Sequence, residues 1–202
     1  GIEDYLVATQ PYGSGSSGAR LQLFSGFDGD APWASETMGT GEVEINGVFL
    51  AVSPTDPVDM KIVAVLAEGL RAYDGSTGAL AWTIPIANDG ASFIPAGATG
   101  AEIAIYSSFD GTIRFYDVDT QVFLREITVP VPVTAVTTLN GDLHAMLITT
   151  AGKLALVDGE AGVIRSSTDF LGDFQIPGTR ISSIENDDVS WTVAVGAESA
   201  LY

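Results

Sequence analysis

Cysteine is absent from the 202 residues, which removes disulfides, zinc-thiolate centres and a cysteine nucleophile from consideration. It assigns no compartment, because exported proteins with large cores do without disulfides. Positive charge is scarce too. Eight basic residues, with Lys61 and Lys153 the only lysines, stand against 26 acidic ones, for a formal charge of −18. Such a surface repels phosphate backbones and anionic headgroups, so no nucleic-acid partner is expected. The acidity reads first as solubility, with cation binding or a salty habitat as the other readings. The one histidine, His144, has no serine or cysteine nucleophile motif beside it and no G-x-S-x-G, so it is assigned a structural or surface role. Long apolar runs are also missing. The stretch from Lys61 to Ala67 is far too short to span a bilayer, and no membrane span is expected. No basic n-region opens the chain at Gly1-Ile2-Glu3-Asp4, which fits a mature or excised segment.

What the chain does have is ordinary globular material, 46% hydrophobic and 17% charged, with 23 glycines and no long helical pattern. That combination favours many short strands joined by turns. It also repeats. LRAYDGSTG (Leu70 to Gly78), IRFYDVDTQ (Ile113 to Gln121) and LALVDGEAG (Leu154 to Gly162) align with Asp74, Asp117 and Asp158 at one place. An earlier copy, LQLFSGFDG (Leu21 to Gly29), has Ser25 instead, yet Trp33 follows it by the same eight residues that separate Trp82 from Asp74. An apolar run precedes each copy: Asp4 to Ala8, Lys61 to Ala67, Glu102 to Tyr106 and His144 to Ile148. A fifth run, Ser190 to Val195, leads into Ala200-Leu201-Tyr202, where another strand of the LRAY kind begins.

Turn chemistry punctuates each copy. Glu68-Gly69, Phe109-Asp110-Gly111 and Ala151-Gly152 stand between the first and second strands. Asp-Gly there predicts a hairpin of type I′, which needs positive φ at both central residues. After the second strand, Asp74-Gly75-Ser76-Thr77-Gly78 predicts a turn in which the Asp carboxylate caps backbone N–H groups and Gly78 goes left-handed. Gly29 and Gly162 match Gly78; Gln121 is the exception. Third strands are expected at Ala79 to Ile84, Val122 to Val129 and Val163 to Thr168, and next-unit strands at Val43 to Val52, Ala91 to Pro95, Val133 to Leu139 and Thr179 to Ile184. Four antiparallel strands recurring every 41 to 43 residues, the spacing of Asp74, Asp117 and Asp158, are the mark of a β-propeller blade. The expected fold is all-β, about four to five four-stranded blades in a single propeller domain or segment, with repeats near 1–38, 39–88, 89–130 and 131–176 and a partial one at 177–202. Wholly apolar runs then belong to strands covered on both faces, and Trp82, early in the outer strand, fills the gap between sheets.

The pattern L-x-A-Y-D-G-S-T-G-x-x-x-W resembles the repeat of quinoprotein (PQQ-like) propellers, best over Ala67 to Ile84, where the resemblance makes Trp82 the interblade docking residue. Asp4 to Phe24 and Ala98 to Asp117 are also similar to FG-GAP (integrin-alpha-like) repeats, which commonly carry a D-x-D-x-D-G calcium loop. The corresponding places here, SPTDPVDMK, GATGAE, LNGDLH and IENDDVS, lack the full ligand set. A PQQ cofactor is disfavoured, since quinoprotein dehydrogenases commonly use a vicinal disulfide. With four periods and an incomplete fifth, the chain reads as part of a six- to eight-bladed propeller. A small closed ring, or two copies completing each other, are the other ways to avoid open edges.

No catalytic, cofactor-binding or metal residue is assigned. Asp74, Asp117 and Asp158 recur at one turn and read as caps, because a catalytic group is needed once. The oxygen-rich clusters Asp28-Gly29-Asp30, Asp56-Pro57-Val58-Asp59, Asp117-Val118-Asp119 and Glu185-Asn186-Asp187-Asp188 supply too few ligands for calcium unless carbonyls and water complete the shell; calcium is the one cofactor left open. Pro11 to Gly18, PYGSGSSG, lacks the Lys-Ser/Thr ending of a phosphate loop and reads as a hairpin tip. Trp33, Trp82 and Trp191 with Tyr12, Phe27 and Tyr106 form either a sugar-binding platform or, preferred, interblade packing. The expected function is a non-enzymatic scaffold or binding module, exported, periplasmic or at the cell surface, engaging a protein or glycan. The alternatives are part of a propeller enzyme, quinoprotein dehydrogenase-like or polysaccharide-active, and a calcium-dependent integrin-like adhesion segment. The rest of a larger propeller or a second copy completes the set of expected partners.

Overall fold

The computed structural model describes residues 5–9, 20–24, 33–34, 45–56, 58–98, 100–139, 141–150, 153–169, 180–187 and 190–196. Every regular element among them is a β-strand, so no helix long and apolar enough to cross a membrane occurs there. The chain divides into two compact units, Gly1–Ala87 and Asn88–Tyr202.

In the first unit, β1 (Tyr5–Thr9), β2 (Arg20–Phe24) and β3 (Trp33–Ala34) form a three-stranded antiparallel sheet in chain order. The four-stranded sheet that follows runs β4 (Ile45–Val52), β5 (Met60–Leu66), β6 (Gly69–Asp74) and β7 (Leu80–Ile84), again in chain order. In the second unit the same meander recurs twice. One sheet holds β8 (Gly90–Ile94), β9 (Glu102–Tyr106), β10 (Thr112–Asp117) and β11 (Phe123–Thr128). The other holds β12 (Ala135–Leu139), β13 (Asp142–Thr150), β14 (Lys153–Asp158) and β15 (Val163–Asp169). A pair, β16 (Arg180–Asp187) and β17 (Ser190–Gly196), ends it. First strands neighbour first strands: β12 lies against both β8 and β16.

The apolar runs behave as strands covered on both faces. Ile62 through Leu66 are all buried, as are Ile103, Ala104 and Ile105. The two four-stranded sheets of the second unit share one core, with Ile113 and Phe115 from one meeting Val136, Met146, Ile148 and Val157 from the other. A buried Leu or Phe side chain contributes roughly 1.5–3 kcal/mol by leaving water, which is what holds these two sheets of the second unit together.

The hairpins differ from the type I′ expectation. Only Gly111 of Asp110-Gly111 has positive φ, at 69°, and the loop is the four residues Ser108 to Gly111, closed by Ser107 N donating to Thr112 O at 3.0 Å. The longer loop needs one left-handed residue, at its end, instead of two. In the preceding meander Leu66 pairs with Gly69, leaving Ala67-Glu68 as the loop, and neither takes a positive φ, as their Cβ atoms disfavour.

One device is repeated that the repeat pattern does not announce. Register shifts fall between Ala72 and Tyr73, between Phe115 and Tyr116, and between Leu156 and Val157. Each leaves one extra residue in the outer strand, namely Ala81, Leu124 and Arg165. A β-bulge bends and twists its strand, so all three outer strands bend at the same point of the repeat, with pairing kept on either side.

Candidate functional site: repeated aspartate turns and exposed loop ends

The aspartate turns have the expected geometry. Asp74 Oδ1 accepts from Ser76 N at 3.0 Å, Thr77 N at 2.8 Å and both hydroxyls, at 2.6 and 2.9 Å. Asp117 Oδ1 accepts from Asp119 N at 3.1 Å and from Thr120 N and Oγ1, both at 2.7 Å. Asp158 Oδ1 accepts from Glu160 N at 3.1 Å and Ala161 N at 3.2 Å. Each turn is closed by the residue four places on, Gly78, Gln121 or Gly162, donating to the Asp carbonyl at 2.8, 2.9 and 2.8 Å. All three closing residues are left-handed, with φ of 70°, 59° and 69°.

Gln121 adopts the glycine conformation despite its Cβ. Its Nε2 donates to Val118 O at 2.9 Å and Asp119 O at 2.7 Å, and these bonds offset a left-handed cost of roughly 1–2 kcal/mol. Gln121→Ala keeps the strain and loses the bonds, so it is expected to cost about 1 kcal/mol. Gln121→Gly relieves the strain and should lie near neutral, an order that paired urea titrations would check.

Hydrogen bonds to the ionised form lower all three carboxyl pKa values. The Ser76 hydroxyl acts most on Asp74, the Thr120 hydroxyl on Asp117 and the Arg165 guanidinium on Asp158. A folded pKa below the unfolded value of about 3.9 means that the unfolded chain binds protons first as pH falls. The stabilisation is therefore complete above about pH 4 and is lost as pH drops through the folded values. Urea midpoints are expected to fall steadily below about pH 4, and less steeply in the Asp74→Ala, Asp117→Ala double variant.

The remaining residues singled out in the sequence are dispersed. His144, 53% exposed, has Nδ1 at 3.3 Å from Asp158 Oδ1 and Nε2 at 3.6 Å from Glu160, while Arg165 holds the other oxygen of Asp158. Asp56 Oδ1 accepts from Val58 N at 3.1 Å, and Asp59 pairs with Lys61. Among the described residues no three imidazoles or carboxylates converge as a metal site. Trp82 is half-buried in β7 opposite Ala72, and Tyr106 lies along Gly90. Pro11 to Gly18, Tyr12, Phe27, Asp28 to Asp30 and Asp188 lie outside the described residues, as do the side chains of Trp33, Trp191 and residues 185–187.

Two features escape the sequence reading. Arg125 stands eight residues after Asp117, the place Trp82 holds after Asp74. Its guanidinium lies 3.9 Å from the centroid of the Phe115 ring and makes two bonds to Glu102, Nη1 to Oε1 at 2.9 Å and Nη2 to Oε2 at 2.7 Å. The signal was an acidic residue opening the apolar run Glu102 to Tyr106. The other feature is exposure at loop ends: Phe109 at the β9–β10 tip is 94% exposed, and Val122, Phe123 and Val163 beside the aspartate turns are at least half exposed. By contrast, a cleft in the first unit lined by Leu66, Leu70, Arg71 and Pro85 measures about 180 Å³, below the roughly 300–1,000 Å³ of small-molecule pockets.

No protein-family model matches the chain, and no curated protein matches it in sequence. Solved structures do match its fold. BBS1N, in its complex with ARL6DN, superposes with a TM-score of 0.62 at 8% identity, over 90% of this chain and 56% of that one. The Pan2 WD40 domain of Neurospora crassa superposes with a TM-score of 0.53 at 12% identity, over 74% of this chain and 43% of that one. The chain thus spans about half the length of the solved structures it matches. Its antiparallel four-stranded sheets are β-propeller blades.

Proposed function

We propose that the chain is a non-enzymatic binding scaffold, a propeller segment of an exported or cell-surface protein that holds a protein or glycan partner. The carrying observation is that rigid blades leave large apolar side chains, Phe109 foremost, in water at their loop ends. Water-exposed aromatics on a fixed framework are what interfaces use as anchors. The repeated carboxylates Asp74, Asp117 and Asp158 are engaged in capping turns. Coverage of only 43% and 56% of the matching propeller chains supports a segment of a larger ring. The Asp74 to Gly78 turn with Trp82 beyond it supports a repeat of the quinoprotein kind. Immobilised protein challenged with a random peptide display library and with a glycan array should show saturable binding to one of them. Binding to neither overturns the reading.

A further inference from the structure

The β9–β10 hairpin differs from the two equivalent hairpins in length. Leu66 pairs with Gly69 and Thr150 with Lys153, so those loops have two residues, whereas the loop beyond Ser107 and Thr112 has four. The extra length carries Phe109, 94% exposed. Flexibility does not explain that exposure, since the loop is braced along its whole course. Asp89 Oδ2 accepts from Ser108 N at 2.6 Å, Ser107 Oγ from Phe109 N at 3.3 Å and Asp110 Oδ1 from Thr112 N at 3.0 Å. Val129 N donates to Gly111 O at 3.1 Å, tying the base of the loop to the chain leaving β11. Because the backbone that presents the ring is already fixed, docking orders no loop and has only the two side-chain torsions of Phe109 to immobilise, which is what distinguishes an anchor from a residue on a loose loop. Among the described residues Asp89 and Asp110 flank Phe109, and the Arg114 guanidinium, whose charge reaches Asp110, is bonded to Glu126 at 2.7 Å.

We propose that Phe109 is the anchor by which this protein docks a protein partner, entering an apolar pocket whose rim presents Lys or Arg to Asp89 and Asp110. The assignment rests on the scaffold reading above and specifies its partner: a basic protein surface, matched to a chain of formal charge −18. Polypeptide is favoured over glycan because carboxylates beside an apolar ring select for cations, which neutral sugars do not carry.

The probe is a random peptide display library selected on the whole chain, with a glycan array in parallel. Enriched peptides should combine an apolar core with Lys or Arg. Phe109→Ala should weaken them by about 30-fold or more, as hot-spot truncations do. Val58→Ala, equally exposed at 91%, should leave them unchanged, and Asp89→Asn with Asp110→Asn should flatten the salt dependence. Thermal melting of Phe109→Ala should match the parent, since the ring touches little. Peptides that bind Phe109→Ala undiminished, or that lack basic residues, overturn the anchor and leave the scaffold reading standing. Glycan binding without peptide binding does the same, whereas binding to neither removes both.

Discussion

Arg125→Ala is expected to destabilise the protein by about 3–5 kcal/mol, the cost of leaving a buried charge without its partner. Glu102 is fully buried, and its carboxylate faces the guanidinium through two parallel bonds at 2.9 and 2.7 Å. Burying that charge without its guanidinium costs far more than the pair gains over an apolar substitute. Arg125→Met, which retains contact with Phe115, should therefore fare little better, because packing is not what is lost. The double change Glu102→Met, Arg125→Met removes both charges and should recover most of the stability. Urea denaturation of the three variants, with the slope of the transition held equal, decides the matter. Similar losses for the single and double methionine variants would mean that the attraction of the guanidinium to the Phe115 ring, not the stranded carboxylate, carries the effect.

Gly111→Ala is expected to cost about 3 kcal/mol, combining a left-handed cost of roughly 1–2 kcal/mol with disruption of a backbone hydrogen bond worth about 1 kcal/mol. At φ 69° a Cβ would stand 2.4 Å from both the Val129 and Val131 carbonyl oxygens. Those atoms belong to the chain leaving β11, so relief requires moving backbone, and the bond from Val129 N to Gly111 O goes with it. Gly100→Ala is the internal comparison. Its φ is 137° with nothing within 4 Å of the added carbon, so it bears backbone strain alone and should cost less. Equal melting temperatures for the two variants would contradict the packing argument.

The strand rhythm was readable because turn chemistry is local. An Asp bonds to N–H groups two and three residues on, and Gly closes the turn in the left-handed region, so Asp74, Asp117 and Asp158 mark three turns without reference to the rest of the chain. Apolar runs such as Ile62 to Leu66 were readable for another reason: a strand apolar at every position offers no face to water. Gln121 shows the limit: the residue type argues against a left-handed turn, and two bonds from its own side chain overrule it. Asp110-Gly111 shows another. The dipeptide marks a hairpin, but loop length, set by where Ser107 meets Thr112, decides which residue turns left-handed.

The pairing of Glu102 with Arg125 spans 23 residues of sequence, and nothing in either run names the other. The repeated bulges are equally silent, since Ala81, Leu124 and Arg165 share no chemistry; they are defined by register, which only paired strands possess. Phe109 reads as an ordinary hydrophobic residue until the hairpin places it in water. The amino-acid order alone determined the repeat, its turns and its all-β character, because these depend on contacts within a few residues. Tertiary structure decided which charges are buried together and which apolar side chains are left outside, because burial is a property of neighbouring strands and sheets.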